Sequence, residues 1–180
     1  MTDSRDDQIP QILRAAAFAA ERHRDQRRKG KDASPYINHP LGLANLLAGD
    51  CCERDATTLM AALLHDTVED TGTSIEEIEQ VFGRNVAQVV LEVTDDKSLP
   101  KAERKRLQIE HAANLSRPAK LVKLADKICN LRDISSSPPA DWSLQRVREY
   151  FDWAKQVVDR MRGTHRQLEA LFDAAYARRP

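Results

Sequence analysis

Apolar positions recur every three to four residues along most of this chain, the spacing that places side chains on one face of a helix. Ile12, Leu13, Ala16, Ala17 and Ala20 form a first stripe, which runs into the charged stretch ERHRDQRRKGK. Gly30, Ser34 and Pro35 mark a loop, and Pro40 fits the first turn of a second helix reaching Leu47. Asp55 is placed to cap a third helix, whose buried face is Leu59, Met60, Ala62 and Leu63 and which leads directly into HDTVED at 65–70. Thr73 followed by Glu76 reads as a capping box for a short helix ending near Gly83. Val86, Val89, Val90 and Val93 are β-branched, but their spacing predicts a helix rather than a strand.

The second half follows the same pattern. Pro100 opens a charged helix, KAERKRLQIEHAA, and from Lys120 the positions Leu121, Leu124, Ile128 and Leu131 repeat at helical spacing. The segment SSSPPA at 135–140 breaks the chain. A long amphipathic pattern then runs from about Leu144 toward Ala177, with Gly163 as a point of interruption. No repeat of fixed period and no strand alternation is present. The helix after Pro138 and Pro139 is too short to form a core of its own. The expectation is one all-α domain over residues 1–180, with a core at about 8–134 and C-terminal helices at about 141–177 packed on it.

Composition narrows the function classes. A chain of 180 residues and 20.4 kDa can bury roughly 70% of its unfolded surface and needs no staples. Twenty-eight Lys+Arg balance 28 Asp+Glu, which argues against a polybasic protein that holds nucleic acid by bulk charge. A local basic pocket remains compatible with that balance. No apolar run approaches the roughly 18–20 residues of a membrane span, and the start, MTDSRDDQIP, lacks a signal-peptide stretch. Cys51, Cys52 and Cys129 make neither a metal-binding pair nor a disulfide framework. The chain reads as a reduced, cytoplasmic protein.

The candidate chemistry gathers at a few points. His65-Asp66 precedes Glu69-Asp70 at the end of an apolar helix; at four-residue spacing, His65 with Glu69 and Asp66 with Asp70 each share a face. Three carboxylates and an imidazole beside a buried Leu-Leu are costly to desolvate, and a cation would offset the cost. A solvated acidic helix end is the alternative, although it opposes the helix dipole. Asp126 sits at the edge of the 121–131 stripe, with Asn130 one turn on; it is either a ligand or an ion-paired structural residue, with Lys123 and Lys127 as available partners. His39, in SPYINHP, is either a loop residue or a ligand. Together His39, His65, Asp66 and Asp126 offer two nitrogen and two oxygen donors. That mixture suits Mn, Fe, Co, Ni or Zn better than Mg or Ca.

Two basic clusters accompany these residues. Arg22, Arg24, Arg27, Arg28, Lys29 and Lys31 read mainly as a solvated helix face, although the run leads within ten residues to His39. One or two of its groups could clamp phosphates beside a metal. Lys101, Arg104, Lys105 and Arg106 pose the same choice. No Walker A loop, GxGxxG or GxSxG is present.

The set resembles the HD metal-dependent phosphohydrolases and, more narrowly, the small alarmone hydrolases of the metazoan SpoT homologue type, stand-alone relatives of the hydrolase half of RelA/SpoT enzymes. The resemblance spans about residues 15 to 172. It rests on HRDQRRK (23–29), PYINHP (35–40), ALLHDTVEDT (62–71), EVTDDKSLPK (92–101), KLVKLADKICNLRD (120–133) and REYFDWAKQVV (148–158), in that order. It implies an all-α HD-domain fold and a cytoplasmic, Mn²⁺-dependent (p)ppGpp 3′-pyrophosphohydrolase acting on the alarmone of the stringent response. One ion per site is expected, and other divalent transition metals are compatible.

Carried over by motif, the resemblance makes His39, His65, Asp66 and Asp126 the metal ligands. Glu69 and Asp70 match the pair that activates or orients the attacking water. Arg28 and Lys29 match contacts to guanine and phosphates, and Asn130 a nucleoside contact. Lys101, Arg146 and Tyr150 correspond to further substrate contacts. Cys129 departs from the family, which commonly has an aromatic residue or histidine there.

The expected partner is the small molecule (p)ppGpp, with no nucleic acid and no membrane; the sequence does not fix the oligomeric state. The chain has no room for a synthetase domain. Two alternatives remain: a phosphatase of another nucleotide such as NADPH, and a helical module that binds a nucleotide without cleaving it.

Overall fold

The structure is a computed structural model and describes residues 8–180, whose regular elements are helices with no β-strand among them. The chain forms two compact units. The first takes in residues up to Gln26 together with Pro35–Thr94, and the second Arg27–Ser34 together with Asp95–Pro180.

The first unit contains α1 (Gln8–Arg22), α2 (Asn38–Asn45), α3 (Ala56–Leu64), α4 (Thr67–Asp70), α5 (Ile75–Phe82) and α6 (Arg84–Val93). Helix α3 is its centre: α1, α2 and α6 all pack on it. Its start is fixed as the sequence predicts, Asp55 accepting from the Thr57 and Thr58 amides at 3.3 and 3.0 Å. The predicted one-sided face understates its burial, because every residue from Thr58 to Leu64 is buried. A helix apolar all round belongs inside a core. The valine-rich stretch is helical, with Val86, Ala87, Val89, Val90 and Val93 buried.

Two details differ from the sequence expectation. In α1 the buried residues are Ala15 and Ala19, while Leu13 is 64% exposed and Ala17 also faces solvent. The inward line is therefore Ile12, Ala15, Ala16, Ala19 and, just past the helix, the buried His23. Several lines of a helix this rich in alanine satisfy the three-to-four spacing, and packing on α3 selects among them. The cap of α5 is Ser74, accepting from the Glu77 amide, rather than Thr73. Thr73 is buried, and its hydroxyl lies 2.8 Å from that of Thr71.

The second unit contains α7 (Lys101–His111), α8 (Arg117–Ser136), α9 (Leu144–Asp159) and α10 (Arg166–Tyr176). Helix α8 contacts both α9 and α10, and α7 contacts α9. Leu121, Leu124, Ile128 and Leu131 of α8 are buried, as are Phe151 of α9 and Phe172 of α10. A buried side chain of this size contributes about 1.5–3 kcal/mol, so these six anchor the unit. Gly163, at φ +87°, turns the chain between α9 and α10, a conformation that costs glycine little.

The basic run is not a helix face. Helix α1 ends at Arg22, and residues 27–34 form a loop within the second unit. That loop lies against the end of α8: Ser137 Oγ accepts from the Lys31 amide at 3.1 Å. A Cβ at Gly30 would come within 3.1 Å of the Ser137 carbonyl, so a side chain there would be a tight fit against the end of α8.

Candidate functional site

Within the first unit, the end of α3 sets the geometry. Thr67 Oγ1 donates to the Leu64 carbonyl at 2.7 Å and closes the helix. His65 therefore caps α3, and Asp66 precedes the short α4 with φ −100° and ψ −4°. HDTVED thus begins at the end of the apolar helix, as the sequence predicts. The Asp70 amide donates to the Asp66 carbonyl at 2.8 Å, which keeps the two acidic residues one turn apart.

His65 is buried, and its Nδ1 donates to the Ala62 carbonyl at 2.9 Å. A carbonyl only accepts, so the hydrogen is on Nδ1 and the lone pair of the neutral ring is on Nε2. That Nε2 lies 2.9 Å from Asp66 Oδ2. His39, the second residue of α2, is equally buried, with its Nε2 3.9 Å from the same oxygen. The two imidazoles are 5.3 Å apart between centroids, and each offers a ring nitrogen within 4.8 Å of one on the other. Tyr36 Oη donates to Asp66 Oδ2 at 2.6 Å.

Two imidazole nitrogens and a carboxylate oxygen thus point at one place. A nitrogen lone pair facing a carboxylate oxygen is favourable only with a positive charge between them, and N,N,O donors suit a divalent transition metal. The residues present fit such an ion. Glu69 and Asp70 are half-buried in α4, and Asp70 Oδ2 accepts from Gln26 Nε2 at 3.2 Å.

Within the second unit, Asp126 stands at the half-buried edge of α8. Its Oδ1 accepts from Asn130 Nδ2 at 2.5 Å and its Oδ2 from Lys127 Nζ at 3.0 Å. Asn130 Oδ1 in turn accepts from Arg28 Nη2 at 2.8 Å, and the same guanidinium donates to Asp133 at 2.7 Å. Arg28, Asn130 and Asp126 therefore form one hydrogen-bonded chain, in which the Asn130 amide has a fixed sense. Lys127 is buried and lies 4.4 Å from the Trp153 ring centroid. Burial pulls its ammonium pKa down, but the charges of Asp126 and Tyr150 outweigh it and hold the group above the ordinary lysine value.

The other substrate candidates belong to the same unit. Lys101 is held below the ordinary lysine pKa, first by desolvation and then by repulsion from Arg146, Lys29 and Arg104. Lys105 is lowered by desolvation and by Lys101. Asp141, 3.6 Å from Arg146, offsets only part of this charge at Lys101, whose pKa stays lowered, and such crowding of cations favours an anion. Tyr150 stands between Trp142 and Trp153, with ring centroids 5.6 and 5.3 Å away, and Arg146 covers Trp142 at 4.6 Å. Burial, followed by the charges of Asp126 and Asp133, pushes the Cys129 thiol up to about 12.

The first unit therefore brings together His39, His65 and Asp66, with Asp70 one turn away. The second joins Arg28, Asn130 and Asp126 and crowds Lys29, Lys101 and Arg146. Sequence reasoning passed over Tyr36 and Gln26, which hold Asp66 and Asp70. Both lie in quoted motifs, PYINHP and HRDQRRK, but as neutral residues they carried no charge signal.

Comparison with known proteins agrees with these features. The HD domain family profile matches residues 15–152. A guanosine-3′,5′-bis(diphosphate) 3′-pyrophosphohydrolase MESH1 from Xenopus tropicalis is 59% identical over 162 residues, 90% of each chain. The Homo sapiens protein of that name is 55% identical over 169 residues, 94% of each chain. The bifunctional (p)ppGpp synthase/hydrolase SpoT of Escherichia coli is 34% identical over 97% of this chain but only 25% of its own length. A solved structure of a metazoan SpoT orthologue that hydrolyses ppGpp superimposes with a TM-score of 0.92 at 50% identity, covering 94% of this chain and 95% of the other. The match runs through the elements that carry both clusters, and the chain belongs to the HD domain family, in its branch of small alarmone hydrolases of the metazoan SpoT type.

Proposed function

We propose that this chain is a metal-dependent (p)ppGpp 3′-pyrophosphohydrolase, converting ppGpp or pppGpp to GDP or GTP and pyrophosphate. The observation that carries the reading is the convergence of buried His39 and His65 on Asp66 Oδ2, in a chain that matches enzymes of that name over nearly their whole length. His39, His65, Asp66 and Asp126 would hold the ion, Mn²⁺ by resemblance. When bound, the ion supplies Lewis acidity toward water and phosphate oxygen.

The chain's own groups do the rest. Glu69 and Asp70 orient the attacking water and accept its proton. The water oxygen bonds to the phosphorus on the 3′-oxygen, that P–O bond breaks, and the 3′-oxygen leaves with the electron pair and takes up a proton. Arg28, Lys29, Lys101 and Arg146 offset phosphate charge. Asn130 and Tyr150 contact the nucleoside. The family profile runs from residue 15 to 152, through segments of both units, which supports a single hydrolase domain. The reading includes a cytoplasmic location; among the described residues no helix is long and apolar enough to cross a membrane.

The test is a product assay with ppGpp and Mn²⁺, with and without chelator. Release of GDP and pyrophosphate only with metal is expected. Binding that survives chelator with no release would instead mark a non-catalytic module, and a higher kcat/KM for NADPH in the same preparation would change the substrate.

A further inference from the structure

Just beyond α1, His23 is buried at 2% exposure, and none of the roles described so far uses it. Its ring stacks on Tyr36, with centroids 4.7 Å apart and planes 30° from parallel. Its Nδ1 lies 2.7 Å from Gln26 Oε1, and the same Gln26 amide reaches Asp70 through Nε2 at 3.2 Å.

The hydrogen-bond senses follow from chemistry. A carboxylate only accepts, so the NH₂ end of Gln26 must face Asp70, and the carbonyl end must face His23. The imidazole must then present an N–H at Nδ1. The other nitrogen, Nε2, is buried with no hydrogen-bond partner among the described residues; a hydrogen there would lack an acceptor, at a cost of about 1–3 kcal/mol. The surroundings thus select one tautomer, and that tautomer fixes the sense of the Gln26 amide.

We propose that His23 is a positioning residue for hydrolysis: by donating from Nδ1 to Gln26, it holds the amide that orients Asp70. The inference rests on the reading of Asp70 as the group that handles the attacking water. His23 touches neither substrate nor metal ligand in this role. Its effect reaches the reaction through a two-bond relay, and the stack on Tyr36 holds the ring in the plane the relay needs.

Three variants test it by steady-state hydrolysis of ppGpp with saturating Mn²⁺, each checked by thermal melting. His23→Phe keeps a flat ring against Tyr36 and removes the donor. A fall in kcat of about 10- to 100-fold, the usual range for residues that orient a ligand or base, is expected, with KM within about twofold. His23→Asn, whose side-chain NH₂ sits where Nδ1 sits, is expected to recover most of kcat. Gln26→Met, at a half-buried position, should fall as far as His23→Phe, and the double variant no further, because both break one relay.

A folded His23→Phe enzyme with unchanged kcat, losses that multiply in the double variant, or no rescue by His23→Asn would each overturn the proposal. If His23→Phe does not fold, an unchanged kcat in Gln26→Met overturns it as well. A wild-type chain that leaves ppGpp intact sinks the functional reading, and the relay is then decided by ¹⁵N NMR of the His23 ring. A hydrogen on Nδ1 that shifts in Gln26→Met supports the relay; a hydrogen on Nε2 overturns it.

Discussion

The two units build their chemistry by opposite means. In the first, buried His39 and His65 bring their Nε2 atoms within 3.9 and 2.9 Å of Asp66 Oδ2, an oxygen that also accepts from Tyr36 Oη. In the second, Lys101 is partly desolvated and repelled by Arg146, Lys29 and Arg104. The first arrangement is small and buried, and asks for a compact cation. The second is spread over more side chains and asks for a large anion with its charge spread out. A metal demands geometry to within tenths of an ångström, whereas a diphosphate accepts several placements of a lysine.

This contrast ranks the expected effects of mutation. The largest belongs to the ligand set. His65→Ala is expected to lower kcat by about a thousandfold or more, on the order of 4 kcal/mol, with an intact helical circular-dichroism spectrum. Asp126→Asn should do the same, although it belongs to the unit that carries the cations. Full ppGpp hydrolysis by Mn²⁺-saturated Asp126→Asn protein would leave the second unit with phosphate binding alone.

Asp70→Asn comes next, with kcat down by about 10²–10³ and KM nearly constant. A KM effect as large as the kcat effect would move Asp70 to the side of substrate binding. Lys101→Ala is expected to raise KM about tenfold, the equivalent of one charge-assisted hydrogen bond, while kcat changes less than threefold.

The smallest effects are titrations. Desolvation and neighbouring cations hold Lys101 below the ordinary lysine pKa, so it loses its charge at a lower pH than a free lysine would. KM for ppGpp should therefore climb on the alkaline side, at a lower pH than loss of charge from an unperturbed lysine would give, and Lys101→Arg should flatten that climb. Cys129, pushed up to about 12 by burial and acidic neighbours, should resist alkylation near pH 8 while the exposed Cys52 reacts. Peptide mapping of iodoacetamide adducts reads the difference; equal labelling would show that α8 opens around residue 129.

Local signals were legible in the sequence. Asp55 caps α3 because a short acceptor side chain there meets two free amides, and Gly163 breaks the last amphipathic stretch because it can take φ +87°. Both depend on a few neighbouring residues. The stripe of α1 was misplaced because alanine-rich spacing fits more than one face and packing makes the choice. His65 and Asp66 stood out as ionisable groups beside leucines. Tyr36 and Gln26 did not, since their importance lies in partners 30 and 44 residues away, and a neutral hydroxyl or amide gives no hint of a distant carboxylate. The long-range fate of Arg28, joined to Asn130 and Asp133, was hidden for the same reason.

The seating of that arginine has a consequence for how the protein is made. Its contacts to α8 span 102 and 105 residues, and that of its neighbour Lys31 spans 106. Closing a loop of that length costs about 4 kcal/mol of chain entropy, which only a formed α8 can offset. As the chain leaves the ribosome from its N-terminus, α1 and α3 have each other within some sixty residues, whereas the Arg28 loop has nothing to rest on until Ser137 has been synthesised. The guanidinium assigned to guanine and phosphate is therefore put in place late, after the histidine cluster has every segment it needs.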